Sequence, residues 1–363
     1  MFTNLRQRFV AVDRGSALAE LWLVVLAAHV LAGCAAAPSA PHMTALAVDD
    51  FRVPSKAAGI ELFVRNKRVK GAEAFPSNRI VLFVHGSTFP SEATFDLALD
   101  GQSWMDVLAR AGYDVYLVDV RGYGASTRPA AMSEPPDRNP PVATLPEAVD
   151  DVDAVVDFIR RRRHVERVGL IGWSWGTVVM GRYAATRGEK VDRLVLYAPI
   201  WQRRTQSGAA RGADVRTAYR VVDVAAARSR WLAGVAPDKH GQLIPRGWFE
   251  SWVAANVATD PWGSTQRPAV IRAPNGALST PQPSGEWVPP YDPAAIRVPT
   301  LLVKGEWDAD APAYMAQTLF PLLVNAPTKA YVEIGEGTHS IMLERNRTQL
   351  FRVVQTFLDE PKH

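Results

Sequence analysis

The sequence predicts an α/β protein, a mostly parallel sheet with helices on both faces and a mainly helical insertion interrupting it. Three observations predict this. From about Phe51, apolar runs of strand length alternate with stretches whose apolar residues recur at helical spacing. One run, Val168-Gly169-Leu170-Ile171, passes through Gly172-Trp173-Ser174-Trp175-Gly176 directly into a helical pattern. The alternation then stops at Ala198 and resumes near Thr300.

In chain order, Ile60 to Val64 and Ile80 to Val84 read as strands, Gln102 to Ala111 as a helix and Asp114 to Val120 as a strand. Pro146 to Arg162 reads as a helix with Val149, Val152, Val155 and Val156 on one face. It ends in the basic run Arg160 to Arg163, which suits a solvated helix C-terminus. Arg167 to Ile171 is a buried type of strand, Trp175 to Thr186 a helix, and Val191 to Tyr197 another strand. Between Ala198 and Ala295 no strand run is evident, and helical patterns cover Val215 to Gly234 and Trp248 to Ala258. A structureless loop of that length is uncommon, so the segment reads as a structured cap. Six of the eleven tryptophans fall in it: Trp201, Trp231, Trp248, Trp252, Trp262 and Trp287. Thr300 to Lys304 and Ala330 to Ile334 then read as strands, Pro312 to Leu323 and Ile341 to Leu358 as helices.

The 363 residues allow one large domain carrying an insertion. The net charge of +4, from 41 Lys and Arg against 37 Asp and Glu, is too small and too scattered to argue for nucleic acid. The single cysteine, Cys34, precludes an intramolecular disulfide. Its position says more: Arg6, Arg8 and Arg14 precede an apolar stretch, Leu21 to Leu31, too short to span a bilayer. That stretch ends in Leu31-Ala32-Gly33-Cys34, which resembles the bacterial lipobox and implies lipidation at Cys34. The small-residue run Ala35 to Pro41 behind it reads as a tether. The expected organisation is thus a lipoprotein-type signal peptide (1–33), a linker (34–49), a core in two parts (50–197 and 298–363) and a cap (198–297). Such a chain would be held to the bacterial cell envelope by an N-terminal lipid anchor; a plainly cleaved leader and a cytoplasmic protein are the alternatives.

Gly-x-Ser-x-Gly alone is a weak signal, but here it sits between a strand and a helix, as a nucleophile elbow requires. Small neighbours let strand and helix approach, and the helix N-terminus offers free N–H groups to a developing negative charge. A serine hydroxyl is barely ionised at neutral pH and needs a base.

From Ile80 to the C-terminus the chain resembles the α/β-hydrolase superfamily, whose sheet has eight strands with a cap after the sixth. The resemblance implies a triad in the order Ser, acid, His. Ser174 matches the nucleophile. Asp308, in Leu301-Leu302-Val303-Lys304-Gly305-Glu306-Trp307-Asp308, matches the acid, with Glu306 and Asp310 flanking it. His339, in Gly335-Glu336-Gly337-Thr338-His339-Ser340, matches the base. The oxyanion donors implied are the N–H groups of Trp175 and of Ser87 in the turn Val84-His85-Gly86-Ser87. The strand-end turn Asp119-Val120-Arg121-Gly122-Tyr123-Gly124-Ala125-Ser126 also matches and reads as structural.

A serine at the elbow disfavours the dehalogenase and epoxide-hydrolase branches, which place aspartate there. Trp175 after the serine resembles prolyl aminopeptidases, yet His85-Gly86-Ser87 departs from their His-Gly-Gly-Pro-Gly turn. The expected activity is hydrolysis of a small-molecule carboxylic ester through an acyl-enzyme, in an esterase or lysophospholipase-like protein. An acyltransferase or prolyl-aminopeptidase-like peptidase on the same triad is an alternative, and an inactive binding protein on the same fold is one of another class. The dispersed histidines suggest no metal site, and no dinucleotide-type glycine turn suggests a cofactor. The oligomeric state and the substrate stay open.

Overall fold

The computed structural model describes residues 44–202, 215–279 and 287–361. The leader and Cys34 lie outside these residues. Among those described, no helix is long and apolar enough to cross a membrane.

One sheet of eight strands organises the chain. β1 (Leu46–Pro54) and β2 (Glu61–Val69) pair antiparallel, and β2 pairs antiparallel with β4 (Asp114–Val118). Parallel pairing then runs from β4 to β3 (Ile80–Val84), β5 (Val168–Trp173), β6 (Val191–Tyr197), β9 (Thr300–Gly305) and β10 (Lys329–Ile334). Every residue of β3, β4, β5, β6 and β9 is buried, so these strands show no in-out alternation and are mostly apolar, with buried charges such as the Asp192–Arg193 pair in β6. β1 starts at Leu46, inside the stretch read as linker; its side chains alternate in exposure, and Asp49, Asp50 and Arg52 interrupt its apolar residues.

Helices cover both faces. α1 (Ser91–Phe95) follows β3, and α2 (Trp104–Arg110) opens with a capping box between Ser103 and Asp106. α3 (Leu145–Arg163) starts on a second capping box, Thr144 with Glu147, and stops where His164 turns left-handed at φ 52°. Its basic end is not simply solvated, because the Arg163 Nε lies 2.7 Å from a carboxylate oxygen of buried Asp114. α3 packs beside α4 (Trp175–Thr186), while α2 lies beside the C-terminal α9 (Arg347–Asp359), where Trp104 stacks on Phe351 at 5.0 Å.

The insertion after β6 holds α5 (Ala227–Trp231), α6 (His240–Leu243) and α7 (Trp248–Ala258). It also holds a hairpin that was not expected: β7 (Tyr219–Asp223) pairs antiparallel with β8 (Val270–Pro274). Tyr219, Val221 and Val222 favour a strand, but the partner lies far along the chain, so a local reading takes the segment as helix. The other departure is at the C-terminus. Ile341–Leu343 form a 3₁₀ turn, and α9 begins only at Arg347. α8 (Ala313–Leu319) is the remaining helix of the second core part.

Candidate active site

Ser174 stands between β5 and α4 with φ 55° and ψ −121°, a conformation that costs an L-residue of order 1–3 kcal/mol. Neighbours hold it there. The Ser174 N–H donates to the Tyr197 carbonyl at 3.0 Å, and its carbonyl accepts from the Thr177 N–H at 2.9 Å and the Thr177 hydroxyl at 2.6 Å. The two glycines of the motif have measurable reasons. A Cβ on Gly172 would stand 2.4 Å from the Gly176 carbonyl oxygen, and one on Gly176 would stand 2.4 Å from that of Val84.

Asp308 lies beyond β9 and His339 beyond β10, the neighbouring parallel strand. The His339 Nδ1 sits 2.9 and 3.0 Å from the two Asp308 carboxylate oxygens. The Asp308 Oδ1 also accepts from the N–H groups of Ala311 at 2.7 Å and Asp310 at 3.0 Å. The flanking acids are engaged elsewhere: Asp310 pairs with Arg230, and Glu306 accepts from the Glu336 N–H. Burial alone would lower the His339 pKa, but the Asp308 carboxylate more than offsets this and holds it above its usual value. The His339 carbonyl accepts from the Trp173 indole and the Tyr197 hydroxyl, both at 2.9 Å. Those two residues end β5 and β6, so the strand ends that carry Ser174 also carry the histidine loop. No direct hydrogen bond joins Ser174 and His339; such contacts often tighten only when substrate is bound.

The turn after β3 lies against Ser174, and a Cβ on Gly86 would be 3.2 Å from the Ser174 Cβ. His85 orders that turn. Its Nε2 accepts from the Val120 N–H at 3.1 Å, so its proton belongs on Nδ1, which donates to the Gly86 carbonyl at 2.7 Å. Burial pushes the His85 pKa down to about 4, which keeps the ring neutral. The Gly86 carbonyl and the Ser87 N–H belong to one peptide plane, so His85 sets the direction of that N–H. Among the described residues nothing accepts from the Ser87 N–H. The Trp175 N–H opens α4 and, like the first N–H groups of any helix, has no partner within it.

Several residues of this neighbourhood carry no sequence signal. Glu344, fully buried, accepts from the Trp231 indole of the insertion at 2.7 Å, from the Thr338 N–H at 3.1 Å and from the Thr338 hydroxyl. Burial, with Asp308 adding to it, pushes its pKa up to about 7. The sequence reads Glu344 as part of a continuous helix; instead its backbone is extended, φ −111° and ψ 168°, between the 3₁₀ turn and α9. Tyr123 lies in the turn read as purely structural, yet its hydroxyl donates to the Ser87 carbonyl at 2.8 Å. Of the insertion's tryptophans, Trp201, Trp231, Trp248 and Trp252 are buried, and Trp252 meets Phe89 edge-on at 4.5 Å just past the turn that follows β3. Among the described residues no three His, Cys, Asp or Glu side chains cluster as metal ligands.

Comparisons with known proteins agree on the frame. Epoxide hydrolase A of Mycobacterium tuberculosis is 34% identical over 128 residues, 35% of this chain and 33% of that protein. A putative non-heme chloroperoxidase of Synechocystis is 31% identical over 124 residues, 33% of this chain and 36% of that protein. The matched region thus spans about a third of the length of these curated relatives. The solved carboxylesterase CesB of Bacillus subtilis covers 88% of this chain and 94% of its own, with a TM-score of 0.56 at 18% identity, which speaks to fold alone. Residues 81–353 match the family model described as the alpha/beta hydrolase family. With its eight-stranded sheet and its elbow between β5 and α4, this chain belongs to the alpha/beta hydrolase family.

Proposed function

We propose that the chain is a serine hydrolase that cleaves carboxylic esters through an acyl-enzyme on Ser174. The observation that carries the reading is the two-oxygen contact of Asp308 with the His339 Nδ1, across a sheet end from a strained serine. In the reaction, the Ser174 Oγ attacks the ester carbonyl carbon as the His339 Nε2 takes its proton. The carbonyl oxygen becomes an oxyanion, which accepts hydrogen bonds from the N–H groups of Ser87 and Trp175. The tetrahedral intermediate expels the alcohol, which receives the proton from His339. Water then repeats the sequence on the acyl-enzyme, releasing the acid and restoring Ser174. Asp308 orients the imidazole and steadies the imidazolium.

A serine rather than an aspartate at the elbow separates this chemistry from epoxide opening, despite the partial likeness to an epoxide hydrolase. The fold likeness to a carboxylesterase supports the ester reading no further than the frame. We also propose that Cys34 carries a lipid that holds the enzyme at a bacterial envelope membrane, on the strength of Leu31-Ala32-Gly33-Cys34. The test is labelling with a fluorophosphonate, followed by turnover of p-nitrophenyl esters of graded chain length beside amide and thioester analogues. Adduct at Ser174 and ester turnover abolished by S174A are expected. An unlabelled Ser174 in folded protein would sink the proposal.

A further inference from the structure

The cap hairpin reaches into the oxyanion turn through one side chain. Arg220, the second residue of β7, projects a guanidinium onto two separate segments. Its Nη2 donates to the Ser87 carbonyl and to the Thr88 Oγ1, both at 2.8 Å. Its Nη1 donates to the Pro274 carbonyl at 2.9 Å and to the Asn275 Oδ1 at 3.2 Å, at the end of β8. All four acceptors are neutral, and among the described residues no carboxylate pairs with it. A half-buried cation without a counter-charge is an expensive way to fill space, and an apolar side chain would pack a hairpin at lower cost. What the guanidinium supplies is a rigid planar fork that can engage several oxygens at set angles.

We propose that Arg220 is a positioning residue for the oxyanion hole, through which the cap hairpin sets the orientation of Ser87. The proposal rests on the serine-esterase reading given above. Ser87 is held on both sides. The peptide plane before it, which carries the oxyanion N–H, is fixed by His85 through the Gly86 carbonyl. The plane after it is fixed by Arg220 and the Tyr123 hydroxyl, which share the Ser87 carbonyl. Rotation of Ser87 about either bond would swing its N–H away from Ser174, and a donor displaced by a fraction of an ångström loses most of its value. The cap therefore does more than cover the site. Its hairpin is wired to the catalytic turn, while its Trp252 packs on Phe89 just beyond.

The experiment compares the full chain with R220M, which keeps length without donors, and with R220Q, a smaller neutral variant, so that either one that folds suffices. Thermal unfolding identifies the folded variants. On an ester that S174A cannot turn over, the expected result is a kcat lowered by about 10- to 100-fold, within the range for a misplaced oxyanion donor, with KM changed by less than about threefold. The rate of fluorophosphonate labelling at Ser174 should fall in parallel, because the phosphoryl oxygen uses the same donors. A folded variant with kcat within about twofold of wild type, or a loss confined to KM, overturns the inference while leaving the esterase reading intact. A wild type that neither labels at Ser174 nor hydrolyses an ester overturns both.

Discussion

The Nδ1 of His339 faces both oxygens of Asp308, at 2.9 and 3.0 Å, while Asp310, two residues on, turns away to pair with Arg230. The loop after β9 is therefore built around Asp308, whose Oδ1 also collects two backbone N–H groups. D308N should lower kcat by about 10³-fold or more, since the amide favours the wrong imidazole tautomer. D310N should change it by less than about threefold. Steady-state kinetics on one ester checks both, and the reverse pattern would reassign the acid.

The same contact sets the pH profile. His339 must be neutral to accept the serine proton, and Asp308 stabilises its charged form, so its pKa is raised. Activity should therefore fall as pH drops through a value above the ordinary imidazole range, giving an acidic limb in kcat/KM. Residual activity in D308N should show that limb displaced to lower pH. A limb that stays in place would mean that another group controls it.

Glu344 offers a stability readout. Its folded pKa is about 7 against an ordinary 4.5, so the folded state holds the proton more tightly than the unfolded one. Its contribution is fully present below 4.5 and is lost as pH rises through 7, by an amount on the order of 3 kcal/mol. Thermal unfolding of the wild type should show this decline between pH 5 and 8, and in E344Q, where residue 344 cannot titrate, the decline should be clearly smaller, with His339 the remaining contributor. E344Q is also expected to cost about 1–3 kcal/mol at low pH, because an amide N–H₂ meets one of three donors.

Gly176→Ala should reverse the usual sign of such a change. In a helix, alanine is ordinarily worth up to about 1 kcal/mol over glycine. Here the new Cβ meets two backbone carbonyls, of Val84 at 2.4 Å and His85 at 2.7 Å, which cannot give way. A loss of about 3 kcal/mol or more is expected, measured by chemical denaturation, together with loss of Ser174 labelling.

Trp173→Phe removes the indole donor to the His339 carbonyl and leaves most of the packing. Stability should drop by about 1 kcal/mol, and kcat should fall more than KM rises, since the His339 carbonyl loses one of its two donors. For the anchor, C34S should move the protein from the membrane to the soluble fraction; unchanged fractionation would remove the lipid proposal.

Much of this molecule could be read along the chain, because its signals are local. Buried parallel strands are largely apolar runs, helices repeat at their own period, and the elbow is five consecutive residues between a strand and a helix. The segments holding Asp308 and His339 could be found for the same reason, as turns at the ends of recognisable strands. The tertiary structure alone decided what depends on distant partners. It set the Asp308 carboxylate, and neither Asp310 nor Glu306, against the His339 Nδ1, paired β7 with β8 across the cap, and turned Glu344 inward to Trp231. It also brought Arg220 and Tyr123 onto one carbonyl of Ser87. None of these follows from composition or period, because each joins groups separated by many residues whose meeting is settled by sheet order and by which way a loop packs.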